Sequence, residues 1–211
     1  MLGGILEKIK RMYEIENIRE NYRNFYDEKI IDIAKHESKG LRPEVLEILK
    51  EEIIKRNLDL KLINWVVAES RPITDYEKET LKYKIQGLSC PNCQKQKKYL
   101  RGFEINTVVS TLIFCSETTE EKILCEDCGN KEKLKSIVLT LLLGWWSRRG
   151  IFMTPITLTK DIINLFYLKR ISDKIFEKFI EANIGRIRLR GETENALTNL
   201  VKNYNKKNTT A

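Results

Sequence analysis

The sequence lacks the residues and motifs from which many catalytic sites are built. It holds a single histidine, His36, which excludes paired-histidine motifs such as H-E-x-x-H and leaves little from which to assemble a Ser/His/Asp set. No glycine-rich phosphate loop occurs. We therefore expect a protein that is not an enzyme and has no small-molecule substrate, with His36 exposed or half-buried.

The sequence also lacks a long apolar run. The most apolar stretch, residues 136–146, has about half of the roughly 20 residues that a spanning helix needs. The opening residues mix acid and base too early for a secretory signal peptide. These features predict a reducing cytoplasmic location, with peripheral association at the inner membrane face as an option, and cysteines that bind metal in preference to each other.

Four of the five cysteines form two C-x-x-C pairs, Cys90 with Cys93 and Cys125 with Cys128. Two such pairs about thirty residues apart are typical of one tetrahedral Zn²⁺ site with four thiolate ligands. Four protein ligands leave no open position, so the zinc would be structural. A pair of disulfides and an iron–sulfur site are the alternatives. Gly129 is expected in a left-handed hairpin turn, and Cys115 as a small core residue.

Hydrophobic periodicity predicts an α+β chain in three segments. Residues 1–84 would form an N-terminal helical module, because apolar residues recur at helical spacing and Pro43 suits a first helical turn. Residues 85–135 would form a central antiparallel zinc ribbon with strands at 99–103, 107–115 and 121–124. Residues 136–211 would form an apolar and basic helical tail packed on or beside the ribbon.

The charge is unevenly distributed. The chain has a net charge of +8, yet 17 basic and 17 acidic residues lie through Cys90, against 21 and 13 after it. A basic half-chain favours an anionic partner, either nucleic acid or a lipid surface; a solubilising excess of lysine is the alternative. The candidate contacts are Lys95, Lys97, Lys98, Tyr99 and Arg101 beside the first pair, and Arg186, Arg188 and Arg190 on one side of an expected strand.

Each of these basic groups has a plainer interpretation. The first is also consistent with a solvated hairpin whose aromatic residues face a small core. The arginine strand is also consistent with an exposed edge that is protected by its charge against pairing.

The apolar tail allows two interpretations. After residues 136–146 come Arg148 and Arg149, and Thr154-Pro155 suits the start of another helix reaching about residue 170. Paired Trp145 and Trp146 beside two arginines are typical of the lipid headgroup level, which favours a half-embedded hairpin. The alternative is a buried apolar helix packed on the ribbon and the N-terminal helices.

The combination resembles a family of small bacterial zinc-ribbon proteins of undefined function. The resemblance covers roughly residues 27–57 and 88–168, and it departs at residues 147–149, where the family has an uncharged glycine-rich turn. It implies the fold and the metal more than an activity. The matching residues are Pro43, Glu44, Leu46, Glu52, Ile53 and Arg56 in the helical part, and Leu142, Leu143, Gly144, Trp145, Trp146 and Pro155 in the tail.

Together these features predict a non-enzymatic zinc-ribbon adaptor. It would dock on an anionic membrane surface or a protein partner through its basic, tryptophan-containing C-terminal half. The alternative is a nucleic-acid-binding ribbon that uses residues 95–101 and the three arginines near residue 188.

Overall fold

The computed structural model describes residues 2–96 and 99–207. The chain forms two compact units, Met1–Ile73 with Ile184–Gly191, and Thr74–Asn183 with Glu192–Ala211. The described residues are mostly helical and include one antiparallel sheet of two strands. The division at residues 84 and 135 stays a prediction, since compactness alone does not define which pieces fold independently.

The first unit is helical. Ile30, Leu49 and Ile53 are fully buried in its core, and Pro43 opens a helix as expected. That helix ends before Asn57, which has the left-handed φ of 54° that asparagine tolerates. The elements are α1 (Leu2–Asn24), α2 (Asp27–Asp32), a π-helical turn (Ile33–Glu37), a 3₁₀ turn (Ser38–Gly40), α3 (Pro43–Lys55) and α4 (Lys61–Ser70).

Arg56 joins the ends of two of these helices. Its guanidinium donates to the carbonyl oxygens of Tyr22 at 2.7 Å and Phe25 at 2.6 Å, and it also reaches Asp27 at 2.9 Å. Carbonyls at a helix C-terminus have no partner within the helix, so one arginine fork satisfies the end of α1. The Glu52 carboxylate accepts from the Arg56 Nε at 3.1 Å and holds the fork in place.

The second unit surrounds the sheet. Phe103 and Ile123 from the strands and Phe176 and Phe179 from a helix are almost completely buried. Asn205 donates to and accepts from the backbone of Ile123, at 3.0 and 2.8 Å, so the last helix borders the sheet. The elements are α5 (Asp75–Gln86), β1 (Arg101–Ser110), β2 (Cys115–Leu124), α6 (Glu126–Leu143), α7 (Arg148–Phe166), α8 (Leu168–Arg190) and α9 (Glu194–Lys207). The last turns of α8, from Ile184, belong to the first unit.

The sheet corrects the strands expected from sequence. Strands β1 and β2 pair from Arg101 with Leu124 to Ser110 with Cys115, so two long strands replace the three short ones. Residues 111–114 form the connecting turn, closed by the Thr111 N–H donating to the Phe114 carbonyl at 2.7 Å. The strand expected at residues 107–115 ends at Ser110, and the apolar residues 112–114 form the exposed tip of a hairpin.

The expected arginine strand is wrong, because residues 186, 188 and 190 lie in the last turns of α8. Side chains two residues apart in a helix are rotated by about 200° around the helix axis, so the three side chains do not form one row. Arg186 and Arg190 are exposed. Arg188 is half-buried and donates to the carbonyls of Ala68 at 2.8 Å and Arg71 at 2.7 Å. Alternation of apolar and basic residues over so few positions is compatible with a helix end as well as with a strand.

The helix expected to start at Thr154-Pro155 begins earlier. Helix α7 starts at Arg148, and the Ser147 hydroxyl caps it by accepting from the Gly150 N–H at 2.9 Å. Pro155 lies inside the helix, on its exposed side. Serine is a preferred N-cap residue, and here it outweighs the later proline as the signal for the start of the helix.

Candidate metal centre and apolar end

The four cysteines of the two C-x-x-C pairs converge. Their Sγ atoms all lie within 4.8 Å of one another, although thirty-two residues separate Cys93 from Cys125. The Cys93 and Cys125 Sγ atoms are 3.7 Å apart. Tetrahedral zinc with Zn–S bonds near 2.3 Å places its sulfur ligands about 3.8 Å apart. The cluster is therefore close enough to bind one metal ion and is compatible with zinc.

The first pair lies in a tight turn between α5 and β1. The Gln94 N–H donates to the Cys90 carbonyl at 2.8 Å, and the Cys90 N–H donates to the Lys95 carbonyl at 3.3 Å. Gln94 adopts a left-handed φ of 58°, which reverses the chain after Cys93. Pro91 lies within the turn, where its fixed φ limits the alternatives.

The second pair lies on a helix and not in a hairpin. Cys125 is the N-cap of α6, and Cys128 is in its first turn. The orphan N–H groups and dipole of a helix N-terminus favour thiolates placed there. Gly129 is a regular helical residue and has no left-handed turn, so its expected role is wrong. The ribbon expected from sequence is not confirmed: the sheet has two strands, and one cysteine pair is presented by a helix.

Burial and hydrogen bonds give the cysteines different acidities. The Lys95 backbone N–H lowers the pKa of Cys93 to about 7. Burial raises the pKa of Cys128 to about 12 and also raises the pKa of Cys125. The Cys125 N–H donates to the Cys90 Sγ at 3.5 Å, a contact that stabilises a ligand sulfur. A cation that binds all four sulfurs must therefore displace protons.

Cys115 and His36 both lie outside the cysteine cluster. Cys115 is half-buried at the start of β2 and is not part of the cluster. All five cysteines are free thiols, and a disulfide would require sulfurs about 2.05 Å apart. The exposed His36 accompanies Asp32, whose carboxylate is 2.8 Å from its Nδ1. The exposure predicted for His36 agrees with the described structure, whereas Cys115, expected as a small core residue, is only half-buried beside the exposed hairpin turn.

At the opposite end of α6 lies a group of exposed apolar side chains that we call the apolar end. Ile113 is 99% exposed and Leu112 85% exposed at the tip of the β1–β2 turn. Trp145 and Trp146 are 44% and 61% exposed, so neither is a core residue. Arg148 and Arg149 follow them and are also exposed. The apolar end consists of Leu112, Ile113, Phe114, Leu143, Trp145 and Trp146.

A hydrogen-bonded serine holds the apolar end together. The Ser110 hydroxyl donates to the Leu143 carbonyl at 3.0 Å and accepts from the Trp146 N–H at 2.9 Å. The Trp146 indole N–H donates to the Leu142 carbonyl at 3.0 Å. The hairpin tip and the end of α6 consequently share one groove of about 480 Å³.

The basic residues near the first cysteine pair are only partly described. Lys95, Tyr99 and Arg101 are exposed, and Tyr99 is 63% exposed. Lys97 and Lys98 lie outside the described residues. Lys95, Tyr99 and Arg101 belong to the second unit, whereas Arg188 belongs to the first and donates to backbone carbonyls there.

Sequence reasoning missed a polar interior between β1, α6 and α7. The Asn106 amide donates to Asp161 at 2.9 Å and accepts from the Thr119 hydroxyl at 2.9 Å. Lys133 is buried, which lowers its pKa, although Asp161 and Glu104 oppose that effect. The recurring polar residues at helical spacing in α7 were the available signal. The polar interior consists of Asn106, Lys133, Ser136, Thr140, Thr154, Thr157, Asp161 and Asn164.

The carboxylates of this region titrate differently. Burial raises the pKa of Asp161, and the Asn106 hydrogen bond only partly offsets it. Burial acts in the same direction on Glu104, but the Lys160 ammonium at 3.1 Å outweighs it and lowers the pKa of Glu104. Lys133 and Asp161 are therefore the buried ionisable pair of this region, whereas the exposed Lys160 pairs with Glu104 at its edge.

Among residues 2–96 and 99–207, no helix has both the length and the apolar content to cross a bilayer. Comparison with protein-family profiles, with curated proteins and with solved structures yields no match. The resemblance to small bacterial zinc-ribbon proteins consequently stays a prediction.

Proposed function

We propose that this chain is a non-enzymatic, zinc-stabilised adaptor that docks on an anionic membrane surface through its apolar end. The observation that carries the proposal is the juxtaposition of exposed Leu112, Ile113 and Phe114 with exposed Trp145 and Trp146 in one unit. Apolar side chains this exposed are typical of interaction sites.

The charges around the apolar end support a lipid partner. No acidic residue occurs from Lys133 to Lys160 or from Ile105 to Ser116, whereas Arg148 and Arg149 follow the tryptophans. Tryptophan and arginine are the residues that settle at the headgroup level, and an anionic leaflet attracts each nearby cation by about 1 kcal/mol. A protein partner would have to be acidic and apolar in the same small patch.

Zinc is proposed as the ion in the cysteine cluster because four thiolates this close together suit its tetrahedral coordination. Its role would be structural, since all four positions are protein ligands. It fixes the turn after α5 to the first turn of α6, the helix that carries the apolar end at its other terminus. The ion thereby stabilises the docking surface and takes no part in a reaction.

The test is vesicle flotation with the zinc-loaded full chain. We expect binding to phosphatidylcholine vesicles that contain phosphatidylglycerol, and weaker binding without it or in high salt. Ile113→Asp should abolish flotation, because a carboxylate at the tip must leave water. The matched control is Tyr76→Asp, which alters an 83% exposed side chain in the same unit and should bind normally.

Two outcomes would overturn the proposal. One is failure of the zinc-loaded protein to float with any anionic vesicle. The other is an equal response to Ile113→Asp and Tyr76→Asp. Nucleic-acid binding, the alternative raised by the sequence, predicts instead a steep salt dependence with DNA or RNA and a loss of affinity on neutralising Lys95 and Arg101.

A further inference from the structure

Helix α7 has its polar and apolar faces reversed. Its buried side carries Thr154, Thr157 and Asp161, the first two almost completely inaccessible. Asp161 accepts from Asn106 of β1, and Asn164 donates to Glu104 of the same strand at 3.1 Å. A surface helix of a water-soluble fold normally turns its apolar stripe inward and its polar residues outward.

The outer side of α7 is mostly apolar, and the one hydroxyl within its arc, that of Thr159, donates to the Pro155 carbonyl of the same helix. At 100° per residue, the exposed apolar residues occupy an arc of roughly 140°, opposite the buried polar stripe. Phe152 near one end is 72% exposed and Phe166 at the other end 84%. The helix has 19 residues and is about 28 Å long. The outer face consists of Ile151, Phe152, Ile156, Ile162, Ile163 and Phe166.

The charges at α7 identify what can cover this face. Arg148 and Arg149 begin the helix, and Lys169 and Arg170 follow its end; all four are exposed. The acidic residue within the helix, Asp161, is buried on the opposite side. An apolar face bounded by cations at both ends matches a hydrocarbon layer beneath anionic headgroups. A second copy would bring the same cations together, and they would repel.

We propose that α7 lies lengthwise at the boundary between the headgroups and the acyl chains of an anionic bilayer, with its outer face toward the chains. This inference rests on the proposed docking function and extends it from the apolar end to the whole helix. Lys160, ion-paired with Glu104, lies at the margin of the face and stays with the headgroups. The polar interior remains shielded from lipid because α6 and β1 cover it.

This arrangement explains why the helix does not need to cross the membrane. One side of α7 is hydrogen-bonded to β1, so only the other side is available to lipid. A helix of this kind contributes binding through its apolar face and through attraction of its cations to anionic headgroups. The terminal arginines and lysine reach the headgroups by extending their long side chains.

Depth-dependent fluorescence quenching tests the inference on the full zinc-loaded chain. The background variant has Trp65, Trp145 and Trp146 changed to phenylalanine. In this background, Phe166→Trp places one fluorophore on the outer face at the C-terminal end of α7, away from the apolar end. Tyr76→Trp places a matched fluorophore on an exposed position of α5. Vesicles of phosphatidylcholine and phosphatidylglycerol with brominated acyl chains supply the quencher.

We expect strong quenching of Trp at position 166 in floated protein and little at position 76. If the protein floats but position 166 is quenched no more than position 76, the inference is overturned while the docking function stands. If the native protein does not float, the docking function fails first. If the protein instead forms dimers as its concentration rises, and these dimers shield the fluorophore at position 166 from water without lipid, the face binds a second copy. That result would overturn the inference.

A charged substitution on the outer face gives a second, independent measurement. Ile163→Asp on the outer face should lower the vesicle partition coefficient roughly tenfold or more, whereas Tyr76→Asp should leave it unchanged. Circular dichroism checks that both variants remain folded. Equal partition coefficients for the two variants would overturn the lengthwise arrangement.

Discussion

Gly129 in the second turn of α6 lies directly against the ring of Phe103 in β1. A Cβ at position 129 would be only 2.3 Å from the Phe103 Cε2 atom, well inside van der Waals contact. Phe103 is almost completely buried and cannot move aside without disturbing the core. This contact fixes α6 on the sheet one residue after Cys128 and so determines where the second cysteine pair lies.

Gly129→Ala should therefore destabilise the second unit, by about 1–2 kcal/mol, because overpacking exceeds the gain in helix propensity. Thermal unfolding of the zinc-loaded protein measures the change. Gly87→Ala is the matched control, since its Cβ would have 3.6 Å to the nearest atom. Equal or greater stability of Gly129→Ala would contradict the packing argument.

Serine substitutions test the metal centre residue by residue. Cys90→Ser, Cys93→Ser, Cys125→Ser and Cys128→Ser should each reduce bound zinc below one per chain and loosen the second unit. Structural zinc contributes roughly 10–16 kcal/mol in small domains. Cys115→Ser should keep one zinc per chain, because Cys115 lies outside the cluster. Elemental analysis of purified protein measures the stoichiometry, and full loading of the Cys128→Ser variant would refute the four-ligand site.

Metal affinity should rise with pH. Burial keeps the pKa of Cys128 near 12 in the metal-free protein, so that thiol must lose a proton when the ion binds. Because the pKa of Cys93 is near 7, the Cys93 thiol releases a further proton on metal binding only below about pH 7. Affinity should increase roughly tenfold per pH unit for each proton released, and the slope should fall by one proton above neutrality.

Competition titration against a chromophoric chelator between about pH 6 and about pH 8 measures this slope, after correction for the chelator's own protons. Cys115→Ser should give the same curve as the unaltered protein. A flat response would show that the cluster is already fully deprotonated before the ion binds.

Arg56→Lys should weaken the first unit, because an ammonium cannot replace the planar fork that satisfies the end of α1. Loss of hydrogen bonds to the carbonyls of Tyr22 and Phe25 should cost about 2–3 kcal/mol. Hydrogen exchange of the last turn of α1 measures the loss locally. Arg42→Lys, which changes a more exposed arginine 4.0 Å from Glu14, is the control and should have little effect. Equal exchange in both variants would contradict the capping role.

The sequence was informative where one residue type has one structural use. The cysteine spacing led to the four-sulfur cluster, and Pro43 led to the start of α3. It was misleading where a short pattern fits two structures. The alternating arginines near residue 188 belong to a helix end, and the apolar residues 112–114 form an exposed turn.

The remaining errors concern relations between distant residues. Gly129 is glycine because Phe103, twenty-six positions earlier in the chain, occupies the space of its side chain. The polar interior depends on Asn106 meeting Asp161, which local periodicity does not encode. An apolar helix face also reads the same in sequence whether it is turned inward or outward, so the reversed faces of α7 required the fold.

Helix α6 begins at the sulfur cluster and ends at the apolar end. Under the two proposals above, one rigid rod of about 27 Å connects an ion site with a lipid site. Thermodynamic reciprocity then requires that any strengthening of vesicle attachment by zinc be matched by an equal strengthening of zinc binding on attachment. With positive coupling of this kind, the protein would leave the bilayer as the available zinc falls, and its position would report the metal supply.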